Sequence, residues 1–305
     1  MRIPREEESV VLDVEGRSVK LTNLAKPFWP ELGITKGDLL QYYADVAPAL
    51  LPHIRDRAMV MRRYPNGIAG KSFFMKRAPP GRPEWVPTHA VEHGSGNVID
   101  FPVISDLPSL LWVVNLGCID LNQWYSRIDD VDRPDYLHFD LDPGDATFPQ
   151  VCETGKVLHA ALDALNMPNY VKTSGSKGLH LYVPIVRAPL QKKVWTFAKK
   201  LAFELAAKHP DLMTAEYRKE KRPAGRVLVD YNQNRWGSTL ASVYSVRPQK
   251  RASVSTPVTW EELARGIAIE DFRLDNVPAR VREKGDLWAP LAPEAPGRFD
   301  LDSLP

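Results

Sequence analysis

Apolar positions along the chain recur with two different periods, and the places where the period changes outline its elements. Residues 1–18 are charged and mixed, and read as an extended arm or an edge hairpin. Leu39, Leu40, Tyr43, Val46, Leu50 and Leu51 then fall three and four residues apart, directly after Thr35-Lys36-Gly37-Asp38. That pattern predicts an amphipathic helix with a capping-box start. From 58 to 105 Pro and Gly are frequent, so short strands and loops are expected, among them 59–64 before the turn Pro65-Asn66-Gly67. The mostly apolar run 110–119 fits a helix giving way to a buried strand, and periodicity does not separate the two. Tyr136-Leu137-His138-Phe139-Asp140-Leu141-Asp142 alternates strictly before Pro143-Gly144 and predicts a strand ending in a turn. Helices are predicted near 149–166 and 190–208, and strands at 170–173, 179–186, 227–231 and 240–246. Thr259-Trp260-Glu261-Glu262 caps a last short helix. Beyond about 288 the chain turns rich in Ala and Pro, a semi-rigid tail expected to add little to the core. The outcome is a mixed α/β (α+β) chain with one domain over 1–288 and a Pro-rich tail over 289–305.

Composition narrows the class. With 305 residues, 44% of them hydrophobic and 26% charged, the chain can bury a sizeable core and is not a disordered polymer. No run reaches the roughly 18 to 20 apolar residues of a membrane span, and the first residues lack the apolar stretch of a signal peptide. A soluble cytoplasmic protein is expected, associated with the nucleoid if it handles DNA, and with no membrane partner. Cys118 and Cys152 form no Cys-x-x-Cys pair, so neither a disulfide framework nor a thiolate zinc site is encoded. Forty basic residues nearly cancel 38 acidic ones, which makes distribution more informative than the sum. Basic residues gather at 62–63, 76–77, 192–193, 199–200, 218–222 and 247–251, although each group taken singly also reads as a solvated face.

Candidate chemistry begins at Asp140-Leu141-Asp142. Side chains two apart on a strand leave the same face, so both carboxylates would stand together, roughly 7 Å apart at their Cα atoms. Such a pair suits hard divalent cations, and two bridged metals could stabilise the attacking and leaving oxygens of a phosphoryl transfer. An isolated Asp-x-Asp also ends strands in ordinary polar turns. Asp230 adds a third carboxylate on an apolar strand, where burial calls for a metal or a cation; a salt bridge to a nearby Arg or Lys is the alternative. Ser174-Gly175-Ser176-Lys177-Gly178-Leu179-His180 offers backbone N–H groups, two hydroxyls, a lysine and an imidazole between two strands. Beside three aspartates these are the parts of a polyphosphate cradle. The segment is not a P-loop, since it lacks the Gly-x-x-x-x-Gly-Lys-Ser/Thr pattern and no helix follows it. Phe73-Phe74 lies among Arg62, Arg63, Lys71, Lys76 and Arg77, a mixture suited to stacking on bases and holding phosphates, with one Phe alternatively a core anchor.

Assembled in order, these residues resemble the polymerase domain of bacterial DNA ligase D, the end-joining branch of the archaeo-eukaryotic primase superfamily. The resemblance runs from about 21 to about 282. It rests on Asn23-Leu24-Ala25-Lys26, Met61-Arg62-Arg63-Tyr64-Pro65-Asn66-Gly67, Ser72-Phe73-Phe74-Met75-Lys76 and Asn115-Leu116-Gly117-Cys118-Ile119. It continues through Phe139-Asp140-Leu141-Asp142-Pro143-Gly144, residues 173–184, residues 227–234 and Tyr244-Ser245-Val246-Arg247. The resemblance implies that Asp140, Asp142 and Asp230 hold two manganese or magnesium ions and carry catalysis. By the same carry-over Ser174, Lys177, His180, Gln233 and Arg247 contact the incoming NTP or dNTP. Asn23, Lys26 and Lys36 match the pocket for the 5′-phosphate of a gap, and Arg62, Phe73 and Phe74 the template-binding surface. The implied activity is template-dependent nucleotide addition at short gaps and broken DNA ends, with ribonucleotides accepted or preferred, alongside a DNA ligase and Ku.

Two departures stand out. Where the family carries Ile-Glu-x-His-Pro-Trp, this chain reads Ile119-Asp120-Leu121-Asn122-Gln123-Trp124, so an amide replaces an imidazole. The segment Lys221-Arg222-Pro223-Ala224-Gly225 is offset by a residue from the family's basic position. No Lys-x-Asp-Gly ligase motif occurs, which fits a stand-alone polymerase or an excised domain. The rival readings are a non-catalytic module that binds and bridges DNA ends, and a metal-dependent transferase or phosphatase built on Asp140 and Asp142 alone.

Overall fold

The computed structural model describes residues 1–304, which gather into two compact units. The first comprises Met1–Trp124, Ala241–Ser255 and Phe272–Asp286. It opens with a hairpin, β1 (Ser9–Val14) and β2 (Arg17–Thr22), turned by Glu15 and Gly16, both with positive φ as a two-residue turn requires. The charged N-terminal stretch is therefore the edge hairpin of the two readings. After β3 (Pro27–Trp29) and β4 (Ile34–Thr35) comes α1 (Lys36–Ile54). Thr35 and Asp38 exchange the two bonds of a capping box, as their spacing predicts. The helix buries Leu39, Leu40, Tyr43, Val46 and Leu50, and the Tyr43 hydroxyl donates to the carbonyl of Ile119.

Strand β5 (Met59–Arg63) runs between β6 (Phe73–Met75) and β9 (Cys118–Trp124), with the hairpin β7 (Thr88–Glu92) and β8 (Val98–Pro102) between them in sequence. The ambiguous apolar run resolves into α2 (Leu107–Asn115), capped by Asp106, then a turn at Gly117, then β9. Gly117 has φ +81, and a Cβ there would meet Tyr64 O at 3.2 Å. A side chain would therefore be strained twice over. A further helix, Val277–Lys284, follows the one predicted as last. Its sequence carries only Val277 and Val281 as large apolar residues, too few to announce a period.

The second unit comprises, among the described residues, 125–240, 256–271 and 287–304. After the short pair β10 (Ser126–Arg127) and β11 (Asp130–Pro134), its sheet is built on β12 (Tyr136–Asp142). Beyond the helix α3 (Phe148–Ala164), β13 (Tyr170–Thr173) and β14 (Leu179–Pro184) continue the sheet antiparallel. The helix α4 (Gln191–Lys208) follows, and then β15 (Met213–Thr214) and β16 (Val227–Asp230). The order is β15-β16-β12-β14-β13, with Pro257–Val258 at the far edge and α5 (Trp260–Arg265) capped by Thr259. Val194, Ala198, Leu201, Ala202 and Leu205 form the buried stripe of α4 that its periodicity predicts.

Two expectations fail. The strand expected at 240–246 is confined to Thr239–Ala241, because Tyr244 takes φ +58 and breaks the extended backbone. The tail does join a core: Trp288, Leu291 and Leu301 are buried, and Phe299 bridges to Ile185 just past the end of the strand Leu179–Pro184. Its Pro residues stop helix growth without preventing burial. Among the described residues no helix is long and apolar enough to cross a membrane.

Candidate catalytic face and phosphate pocket

In the second unit, sheet register brings together residues far apart in sequence. Asp140 on β12 lies directly opposite Asp230 on β16 on one side and His180 on β14 on the other, and His180 lies opposite Lys172 on β13. Partners directly opposite in an antiparallel ladder share a face. Asp230, Asp140, His180 and Lys172 thus form one polar row across four strands, with Asp142 two residues along β12 on the same face. The row is mostly buried: Lys172 is 1%, His180 3% and Asp230 7% exposed. Asp140, between Asp230 and His180, and Asp142, two residues along β12, are more open, with side chains 22% and 51% exposed.

Each carboxylate has a local support. Asp230 accepts from the backbone N–H of Asn232 at 2.8 Å and from the Gln233 amide at 3.0 Å. Its pKa is nonetheless raised, first by burial and also by the neighbouring Asp142 charge, against those bonds and the pull of Arg222. Asp142 accepts from the Gly144 N–H at 3.1 Å, and Arg222 lies 3.7 Å from its other oxygen. His180 Nε2 stands 3.4 Å from Asp140 Oδ1. Lower on the face His138 stacks on Tyr182; burial lowers its pKa to about 3, so that imidazole is neutral. Among the described residues no three His, Cys, Asp or Glu side chains close into a metal cage.

The 174–178 turn abuts this row. Ser174 Oγ accepts from the N–H groups of Ser176 and Gly178, so this hydroxyl shapes the turn, and Lys177 stands exposed at its tip. A Cβ at Gly178 would lie 2.0 Å from Leu141 O, so only glycine lets the turn pass this close to the strand bearing the aspartates. Ser174, Lys177, His180 and Gln233 thus gather in the unit that carries the three aspartates. Arg247 belongs to the first unit, where its guanidinium lies 3.5 Å from the buried carboxylate of Asp120. Asn122 donates to the Asp120 carbonyl at 3.2 Å.

The first unit holds a cationic cleft of about 330 Å³ lined by Asn23, Lys26, Lys36, Arg63, Asn66 and Asn115 among others. Lys26 donates to Asn66 Oδ1 at 2.7 Å and Lys36 to the carbonyl of Thr22 at 2.6 Å. Burial, with Lys26 and Arg63 adding repulsion, lowers the pKa of Lys36 to about 8. Arg63 is likewise lowered by burial while its Nε donates to Leu116 O. The residues lining the cleft include three cations and no carboxylate, a local excess of positive charge. Arg63 and Asn115 were not expected here; they stand in quoted motifs, and only packing brings them to Lys26 and Lys36. Neither Phe73 nor Phe74 is a core anchor, for they are 45% and 62% exposed. Arg62 lies over Phe74 and Arg63 over Phe73, each 5.3 Å from the ring centre, so the two rings occupy opposite sides of β6.

The family described as LigD, primase-polymerase domain, matches residues 35–288. The chain belongs to this family. It is accordingly a nucleotidyltransferase of the primase-polymerase class, from a family of DNA repair. The multifunctional non-homologous end joining protein LigD of Mycolicibacterium smegmatis is 36% identical over 91% of this chain, which spans 36% of that relative. The bifunctional LigD of Bacillus subtilis is 30% identical over 88% of the chain, which spans 43% of the relative. The chain thus spans between a third and a half of the length of these two relatives. The solved polymerase domain of Mycobacterium tuberculosis Ligase D, in complex with DNA, superposes with a TM-score of 0.86 at 32% identity, covering 91% of this chain and 99% of that one. The mixed α/β architecture expected for a LigD polymerase domain is therefore the one observed. Sequence reasoning missed Lys172: on β13 it shares a face with Tyr170, and only the register opposite His180 shows it turned away from solvent.

Proposed function

We propose that the chain adds nucleotides to a primer 3′-hydroxyl on a DNA template, filling short gaps at broken ends during end joining. The observation that carries this reading is the Asp230–Asp140 pairing across β16 and β12 with Asp142 beside it, three carboxylates gathered next to a glycine-dependent turn. Carboxylate oxygens suit two Mn²⁺ or Mg²⁺ ions, which commonly keep water and phosphate oxygens as their remaining ligands, so an open cluster fits them. When bound, such ions would acidify the attacking hydroxyl and offset charge on the leaving pyrophosphate. In this reading Asp140 and Asp142, the more exposed of the three, hold the ions, while Asp230 completes the set from its buried position. The amides of Asn232 and Gln233 hold the Asp230 carboxylate in place. Lys177 and His180 would bind the triphosphate of an NTP or dNTP by charge-assisted bonds. Ser174 would act by shaping the turn.

The Lys26, Lys36 and Asn23 cleft would take the 5′-phosphate at the far side of the gap, with Arg63 as a further cation. Exposed Phe73 and Phe74, each under an arginine, would stack on the template, leaving base choice to template pairing. Working on DNA ends would put the protein at the nucleoid beside a DNA ligase and Ku. The test is extension of a labelled primer across a one-nucleotide gap with and without a 5′-phosphate, comparing NTP with dNTP in manganese and in magnesium. Metal-dependent addition favoured by the phosphate is expected. Binding of the gap with no addition under any condition would leave an end-bridging module instead.

A further inference from the structure

The polar row does not end at the residues that the proposed reaction uses. Behind His180, on the side away from Asp140, lies Lys172, 1% exposed and on the neighbouring strand β13. Its Nζ is 2.7 Å from His180 Nδ1 and 5.7 Å from the centre of the Tyr182 ring. With Lys172 as an ammonium, which has only donors, His180 Nδ1 is the acceptor of this bond. That leaves the ring proton of a neutral His180 on Nε2, the nitrogen 3.4 Å from Asp140 Oδ1. A buried lysine is expensive to keep charged, and a sheet interior offers many apolar residues of similar length. Here the ammonium instead meets an imidazole nitrogen and an aromatic face.

We infer that Lys172 is a positioning residue: by donating to Nδ1 it fixes the tautomer and ring orientation of His180, so that Nε2–H is held on the Asp140 side of the ring as a donor to the nucleotide's phosphates. This rests on the reading of His180 as a phosphate contact. The same ring with its proton on Nδ1 would turn a bare nitrogen lone pair toward an anion, which repels it. Lys172 thus acts on the nucleotide only through His180, and does not touch it.

The experiment uses the full chain labelled with ¹⁵N-histidine. Its seven histidines give separate imidazole signals, and that of His180 is identified by its loss in His180→Gln. In the wild type Nδ1 is expected to be unprotonated and Nε2 protonated, and Lys172→Met should shift the signal toward the other tautomer. In gap filling, Lys172→Met should raise the nucleotide KM about tenfold, the scale of one charge-assisted bond, with a much smaller change in kcat. In the His180→Gln background, which keeps a side-chain amide donor, Lys172→Met should add almost nothing further. A protonated Nδ1 in the wild type would overturn the inference, even if the variant fails to fold. An equal rise in KM in both backgrounds would overturn it as well. If no nucleotide is added under any condition, the proposed reaction fails, while the wild-type spectrum still decides the tautomer.

Discussion

The carboxylate row of the second unit and the cationic cleft of the first are built on the same principle with opposite signs. In the row, burial and the nearby Asp142 raise the pKa of Asp230; in the cleft, burial with Lys26 and Arg63 lowers that of Lys36 to about 8. Each site assembles like charges where water is scarce, which weakens the fold locally and leaves a demand for a counter-charge. The difference lies in how the charges are held. The row is fixed by backbone register through three antiparallel pairings of four strands and by short bonds to Asn232 and Gln233, as a reaction centre needs. The cleft is lined by long lysine and arginine side chains from separate loops and strands, adequate for gripping a phosphate. One site is organised to place atoms, the other to hold charge.

The largest effect expected on this contrast is from Asp140→Ala. Nucleotide addition should fall by at least roughly a thousandfold, on the scale of removing a metal-anchoring group, while binding of gapped DNA measured by fluorescence anisotropy stays within about twofold. A variant that still extends primers at full rate would remove the row from the chemistry. Lys36→Met should come next, reducing the preference for a 5′-phosphorylated gap by roughly 10- to 100-fold, as loss of a charge-assisted bond predicts. Equal losses with and without the phosphate would make Lys36 a general backbone contact.

The cleft also predicts a pH dependence. Because the pKa of Lys36 is lowered from 10.5 to about 8, the preference for the phosphate should decline as pH rises past about 8, where the amine loses its proton. The folded state binds fewer protons than the unfolded chain between about 8 and 10.5, so this residue's contribution to stability rises with pH through that window. A phosphate preference flat to pH 10 would separate Lys36 from the effect. Phe74→Ala should weaken template binding by about 1 kcal/mol, the lower end for one lost stacking contact, with little change in thermal stability since the ring is exposed. The smallest expected effect joins the two regions: Asp230→Asn and Lys36→Met should each raise the melting free energy by about 1 kcal/mol by relieving like-charge crowding. If either variant melts earlier than the wild type, crowding is not what those sites share.

Much of the local structure was legible in the sequence because a period of 2 or 3.6 is written into neighbouring residues. Thr35 and Asp38 announced α1, strict alternation from Tyr136 to Asp142 announced β12, and the same alternation put Asp140 and Asp142 on one face. The three aspartates and the Ser174 to His180 turn stood out for the same reason. Weak local signals failed: a left-handed Tyr244 interrupts a run that reads as a strand, and the Pro-rich tail buries Trp288 and Leu301 despite its composition.

What only the tertiary structure decided is which distant residues become partners. Asp140 is opposite Asp230 and His180, and His180 opposite Lys172, through hydrogen-bond register between strands from four separate stretches of chain. Arg63 and Asn115 reach Lys36 by packing, and Phe73 and Phe74 diverge by the pleat of β6. The sequence by itself determined the residue types and the local faces, since those depend on backbone geometry over a few residues. Burial and charge environment depend on contacts closed over long loops, and these turned a plain strand lysine into the neighbour of His180.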